Sequence, residues 1–110
     1  MAEKKSKISA SHILIMHNES KDSRSEISKD EAQKVINDIH KKLVEKKSRF
    51  VDLATEHSDC SSASYGGSLG EFGKGVMVKP FENAVFSLKV GEFSKPFESE
   101  FGFHIAKRDK

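Results

Sequence analysis

GGSLGEFGKGVMVKPFENAVFSL, running from Gly66 to Leu88, is the stretch whose reading decides the fold. Leu69–Phe72 reads as a short strand, with glycines on either side to supply the positive φ angles and bulges that bulkier residues resist. Gly73 and Gly75 then break the strand, and Val76, Met77 and Val78 follow as a loop with large apolar side chains. Pro80 suits the first turn of a helix. From there Phe81, Ala84, Val85 and Leu88 recur at helical spacing, and Gly91 lies beyond the helix end. A strand, an apolar loop and a short helix in succession make one wall of an apolar groove.

The pattern extends outward from this segment. Ile8, Ala10, His12, Leu14 and Met16 alternate with Ile13 and Ile15, so Ile8–His17 predicts a strand covered on both faces. Asn18 to Ile27 is polar and predicts a surface loop. Ser28 and Glu31 have capping-box spacing, and Ala32, Val35, Ile36, Ile39, Leu43 and Val44 continue one apolar helix face. Lys41, Lys42, Lys46 and Lys47 crowd the end of that helix, where positive charge complements the helix dipole. A shorter helix is predicted over Phe50–His57, with Phe50, Leu53, Ala54 and His57 on one side. Ser58 to Gly67 reads as a turn-rich loop holding Cys60. Pro96–Glu98 predicts a short edge strand. Phe101–Arg108 predicts another strand, with Phe101, Phe103 and Ile105 on one face and His104 on the other. The order strand, helices, strand, helix, strand, strand is an α+β pattern with an antiparallel sheet.

At 110 residues the chain is one domain's length. Residues 1–7 read as a frayed tail and residues 8–110 as the domain. Nineteen basic residues nearly balance 17 acidic ones, so charge does not demand a nucleic-acid partner. The lysines at 41, 42, 46 and 47 are the sole support for such a role, and a solvated helix end accounts for them. One cysteine excludes an intrachain disulfide and fits a reducing compartment. No apolar run reaches the ~20 residues of a bilayer span, and no signal-peptide pattern follows Met1. The expectation is a monomer of the cytoplasm, and also of the nucleus, with no membrane partner.

His12, His17, His40, His57, His104 and Cys60 form no zinc-ligand spacing, so no metal is expected. The glycines match neither phosphate-binding pattern. Cys60 has no recognisable nucleophile context and reads on its own as a small apolar residue. His12 and His104 sit mid-strand at opposite ends of the chain. A buried histidine needs hydrogen-bond partners, and on neighbouring strands these two would satisfy each other, as a structural pair or a catalytic one.

Five blocks in order resemble the parvulin family of peptidyl-prolyl cis/trans isomerases. They are Ser11-His12-Ile13-Leu14, Ser58-Asp59-Cys60-Ser61-Ser62-Ala63, Gly66-Gly67-Ser68-Leu69-Gly70-Glu71-Phe72, Met77-Val78-Lys79-Pro80-Phe81-Glu82 and Phe101-Gly102-Phe103-His104-Ile105. The resemblance spans about Ile8 to Arg108. It implies a four-stranded antiparallel sheet wrapped by about four helices, with a groove on one sheet face. It also implies that His12 and His104 form the groove floor and that Cys60 is the polar group beside the reacting bond. Leu69, Met77 and Phe81 would be the walls of a proline pocket, Phe101 a further substrate contact, and Ser99 a hydroxyl bonding toward the histidines. The implied activity, rotamase catalysis of X–Pro rotation, needs no cofactor and takes proline-containing peptides and proteins. A non-catalytic proline-peptide module or chaperone is the alternative use of such a groove.

The branch selective for phosphoserine- or phosphothreonine-proline carries a lysine and an arginine pair after the first strand. Here those positions are Met16, Lys21 and Asp22. Lys21 and Arg24 remain as candidate anion ligands, but Glu19, Asp22 and Glu26 surround them. Phe101-Gly102-Phe103-His104 resembles the non-phospho members and Ser58–Ala63 the phospho-selective ones. The expectation is a mixed type that does not require phosphate. With no tryptophan in the chain, the two-tryptophan WW module of some relatives is not expected.

Overall fold

The computed structural model describes residues 7–21 and 23–110. Strand β1 spans Lys7–Ile15, helix α1 Lys29–Val44 and helix α2 Phe50–His57; a 3-10 helix covers Ser61–Tyr65. Strand β2 (Ser68–Gly73), helix α3 (Lys79–Phe86), strand β3 (Phe97–Ser99) and strand β4 (Gly102–Arg108) complete the order. The four strands form one antiparallel sheet in the order β2-β1-β4-β3. Lys7 opens β1, one residue inside the expected tail, and residues 1–6 lie outside the described residues. Three α-helices and the 3-10 segment wrap the sheet, close to the expected four.

The central strands explain the double-sided pattern of the first apolar run. On one face Ile13, Ile15, Phe103 and Ile105 pack with Ala32, Ile36, Ile39 and Leu43 of α1 and with Phe50, Leu53 and Ala54 of α2. On the other, Ile8, Ala10 and Ala106 pack with Phe72 of β2 and with Phe81 and Val85 of α3. α1 begins as its sequence dictates: the Ser28 hydroxyl accepts the Glu31 N–H at 3.1 Å, and the Glu31 carboxylate accepts the Ser28 N–H at 3.4 Å.

Two glycines set the path of the chain beside β1. Gly67 has φ +89°, and its carbonyl accepts the His12 N–H at 2.9 Å. A Cβ there would stand 2.6 Å from the His12 carbonyl oxygen and 2.9 Å from the Ala54 Cβ. Gly102 has φ +135°, and a Cβ would run into the Ile15 carbonyl. That turn breaks the expected alternation at its first residue. Phe101 precedes β4 rather than belonging to it, and it lines the same cavity as His104 instead of joining Phe103 and Ile105. Among the described residues no helix is long and apolar enough to cross a membrane.

Candidate active site

A cavity of about 450 Å3 opens on the α3 face of the sheet. Its floor is His12 and Leu14 of β1 with His104 of β4. Leu69 of β2, Val76, Met77 and Val78 of the β2–α3 loop, and Phe81 of α3 form the apolar wall, with Cys60 and Phe101 also lining it. The resemblance-derived floor and wall residues therefore meet in one place. Ser99 lies just behind, buried under His104.

The polar floor is a single hydrogen-bonded chain. The Ser99 hydroxyl oxygen accepts the Phe101 N–H at 3.1 Å and lies 2.7 Å from His104 Nε2. His104 Nδ1 lies 3.2 Å from His12 Nδ1. Ser99 already accepts one bond, and no other acceptor is in place for its own buried hydrogen among the described residues. The hydroxyl therefore donates to His104 Nε2. That puts the His104 proton on Nδ1, which donates to His12 Nδ1, and leaves the His12 proton on Nε2. Both imidazoles are neutral in this arrangement. Burial, followed by the neighbouring His12, pushes the His104 pKa down from 6.5 to about 3.

His12 Nε2 is buried and has no partner in hydrogen-bond geometry among the described residues. The Cys60 thiol is the group that feels it. Hydrogen-bonding attraction to His12 is the largest influence on Cys60, and the Ser62 hydroxyl and backbone add to it. Burial opposes them, and the thiol pKa falls from 9.0 to about 6. Attraction of this kind favours the thiolate.

Aromatic rings fix the floor laterally. The Phe81 ring meets His12 edge-on, with centroids 5.5 Å apart at 88°, and Phe97 stacks on His104 at 5.1 Å and 12°. Phe97, stacked on His104, and Leu14, in the cavity floor, carry no local sequence signal that marks them as site residues. Two acidic side chains were missed as well. Asp59 carboxylate accepts the Met16 N–H at 2.8 Å while its own N–H donates to the Leu14 carbonyl at 2.7 Å, docking the Cys60 segment onto the end of β1. Glu82 is 8% exposed, and its carboxylate accepts the Gly75 N–H at 2.7 Å. It thereby ties the loop carrying Val76, Met77 and Val78 to α3. That bond, with the ammonium of Lys79 nearby, holds the Glu82 pKa below the usual carboxylate value against burial.

The two candidate anion ligands do not converge on the cavity. The Lys21 ammonium pairs with Glu100 at 3.2 Å and lies 5.7 Å from the Phe101 ring centroid. Arg24 Nη2 donates to the Asp59 carbonyl at 2.8 Å. Met16 is buried, and Asp22 lies outside the described residues.

The candidate active site is thus an apolar-walled cleft over two mutually bonded histidines, with Cys60 and Phe101 also on its lining. The family model described as "Rotamase: PPIC-type PPIASE domain" matches residues 12–110. The chain belongs to this family, the parvulin-type peptidyl-prolyl cis/trans isomerases. It is 43% identical over 112 residues to the peptidyl-prolyl cis-trans isomerase Pin1 of Digitalis lanata, covering 93% of this chain and 95% of that one. Its structure is similar to peptidyl-prolyl isomerase ESS1 from Candida albicans (TM-score 0.92, 34% identity, 94% of this chain and 63% of that one). It is also similar to the parvulin of Nitrosopumilus maritimus (TM-score 0.68, 42% identity, 99% and 100% covered).

Proposed function

We propose that this peptidyl-prolyl cis/trans isomerase turns X–Pro bonds over in the 450 Å3 cavity without covalent chemistry and without an obligatory phosphate on the substrate. Rotation about a peptide bond faces a barrier of ~18–20 kcal/mol because amide resonance must be broken. Each ~1.4 kcal/mol of preferential binding to the twisted amide is worth a factor of ten in rate. Leu69, Met77 and Phe81 hold the pyrrolidine ring, and Phe101 covers the chain beside it. His12, His104 and Ser99 keep the floor rigid and neutral. Cys60, as a thiolate near neutral pH, sets the polarity beside the carbonyl and favours the state in which carbonyl oxygen carries less charge. That is the direction in which amide resonance is lost on twisting. Glu82 keeps the Met77 wall in place.

The observation that carries this reading is the apolar wall facing a floor of paired neutral histidines with Cys60 on its edge. Phosphate independence is supported by the engagement of Lys21 with Glu100 and of Arg24 with the Asp59 carbonyl. A phosphate would compete with a carboxylate already seated on Lys21. The test is a panel of tetrapeptides with Ala, Glu or phosphoserine before proline. Comparable kcat/KM across the panel is expected, and a hundredfold preference for phosphoserine-proline overturns the phosphate part of the proposal. The single cysteine is consistent with work in a reducing compartment such as cytoplasm or nucleus.

A further inference from the structure

We propose that Asp59 is a positioning residue of the isomerase reaction, holding Cys60 at the edge of the groove by completing the end of β1. The inference rests on the groove being catalytic. β2 accompanies β1 only as far as Ser11, with a register shift between Ala10 and Ser11. Beyond that point the same edge of β1 still presents the N–H groups of His12, Leu14 and Met16 and the Leu14 carbonyl, and each needs a partner. The Gly67 carbonyl takes the His12 N–H at 2.9 Å, and the Ser58 hydroxyl takes the Leu14 N–H at 3.0 Å. Asp59 takes the other two. Its N–H donates to the Leu14 carbonyl at 2.7 Å, and its carboxylate accepts the Met16 N–H at 2.8 Å. One residue thus does for the end of β1 what a neighbouring strand would do.

Arg24 closes the arrangement from outside, Nη2 donating to the Asp59 carbonyl at 2.8 Å. Its guanidinium is engaged in holding the Cys60 segment. The Cys60 N–H donates to the Ser58 hydroxyl at 3.4 Å, a long bond. The hold on the thiol therefore comes mainly through Asp59, the residue joined to it. Leu14 lies in the cavity floor and Cys60 on its edge, so the bonds that tie Asp59 to β1 also set where the thiol stands against His12. Attraction to His12 is the largest influence lowering the thiol pKa from 9.0 to about 6, and attraction of this kind depends on placement. The charge of Asp59 and its placing of Cys60 act with opposite signs. A carboxylate next along the chain opposes a thiolate, so removing the charge alone lowers the thiol pKa, whereas losing the placement raises it.

The test reads the pH midpoint of Cys60 alkylation by iodoacetamide, beside kcat and KM on an Ala–Pro peptide. Asp59→Ala should move the midpoint up from near 6 by about one unit or more, toward the free-cysteine value of about 8.5. It should lower kcat severalfold with little change in KM. Asp59→Asn keeps an acceptor for the Met16 N–H and removes the charge. Its midpoint should stay at or below that of the wild type, and most of kcat should return. In a Cys60→Ala background, Asp59→Ala should cost little more, because the loss runs through the thiol. Arg24 is exposed, and Arg24→Gln should shift the midpoint in the same direction by less. That variant is read at ~0.5 M salt, where the lost charge is screened, and it decides the matter if Asp59→Ala does not fold. A wild-type midpoint in Asp59→Ala, or in Arg24→Gln where that variant stands alone, overturns the proposal. So does Asp59→Asn as impaired as Asp59→Ala, or an undiminished loss of kcat in the Cys60→Ala background. Alkylation is read without substrate, so a groove that binds peptides without isomerising them fails the proposed function and leaves this readout of placement standing.

Discussion

Acid should weaken this protein through one buried ring. His104 is 3% exposed and bonded on both nitrogens, and its pKa falls from 6.5 to about 3. Below pH 6.5 the unfolded chain takes up a proton at this position that the folded chain refuses, so stability is retained above 6.5 and lost as pH falls toward 3. Each pH unit in that window costs about 1.4 kcal/mol, or about 2 kcal/mol at pH 5 relative to pH 7.5. For a domain of this size that lowers the melting temperature by roughly 10 °C. The assay is thermal unfolding of the wild type and of His104→Asn between pH 7.5 and pH 5. His40, lowered by burial and then by Lys95, and Cys60, lowered from 9.0 to about 6, add loss of the same sign to both proteins. Glu82 acts only below its ordinary value of 4.5. The difference in pH slope therefore isolates His104. The variant should be less stable at pH 7.5 but distinctly flatter with pH. Equal slopes in the two proteins would refute the neutral, hydrogen-bonded histidine floor.

Four further outcomes follow from named groups. Glu82→Ala should release the loop of Met77 and raise KM about tenfold with little change in kcat. Glu82→Gln, which keeps an acceptor for the Gly75 N–H, should recover most of the loss; an unchanged KM in Glu82→Ala counts against the tether. Alkylation of Cys60 by iodoacetamide should rise with a midpoint near pH 6, shifting toward the free-cysteine value of about 8.5 in His12→Gln. Cys60→Ser should keep substantial isomerase activity, and a trapped covalent substrate adduct would contradict the non-covalent mechanism. Gly67→Ala, forced against the His12 carbonyl at 2.6 Å, should cost on the order of 2 kcal/mol or more in urea unfolding. Gly70→Ala, with no atom within 4 Å of its new Cβ, should cost about 1 kcal/mol from its positive φ alone. Equal costs would remove the close approach as the reason for Gly67.

The parts of this structure that local chemistry specifies were legible in the chain. Ser28 with Glu31 announces α1, Pro80 the start of α3, and the alternation of Ile8 to Ile15 a strand buried on both faces. The 3-10 helix at Ser61–Tyr65 has no such signal: its serines suit a turn equally well, and a run this short shows no apolar period. Phe101 was placed on the wrong face because alternation was carried one residue too far, across a turn that only Gly102 permits. In the site, the histidines and the apolar wall could be named from motifs. Phe97 on His104, Asp59 under the Cys60 segment and Glu82 on Gly75 could not, because each role exists only once distant segments meet. Lys21 and Arg24 show the reverse case. As isolated charges they suggest an anion site, and the folded loop engages both with groups of its own chain.

The most direct test of the central claim is NMR exchange spectroscopy on a short Ala–Pro peptide with catalytic amounts of the protein. Unaided, the two isomers interchange in tens to hundreds of seconds. With the wild type, exchange cross-peaks should appear on the sub-second scale, and they should weaken severalfold with Leu69→Ala or Met77→Ala. A peptide that binds in the groove while its isomers keep exchanging at the unaided rate would contradict catalysis and leave a proline-peptide binder.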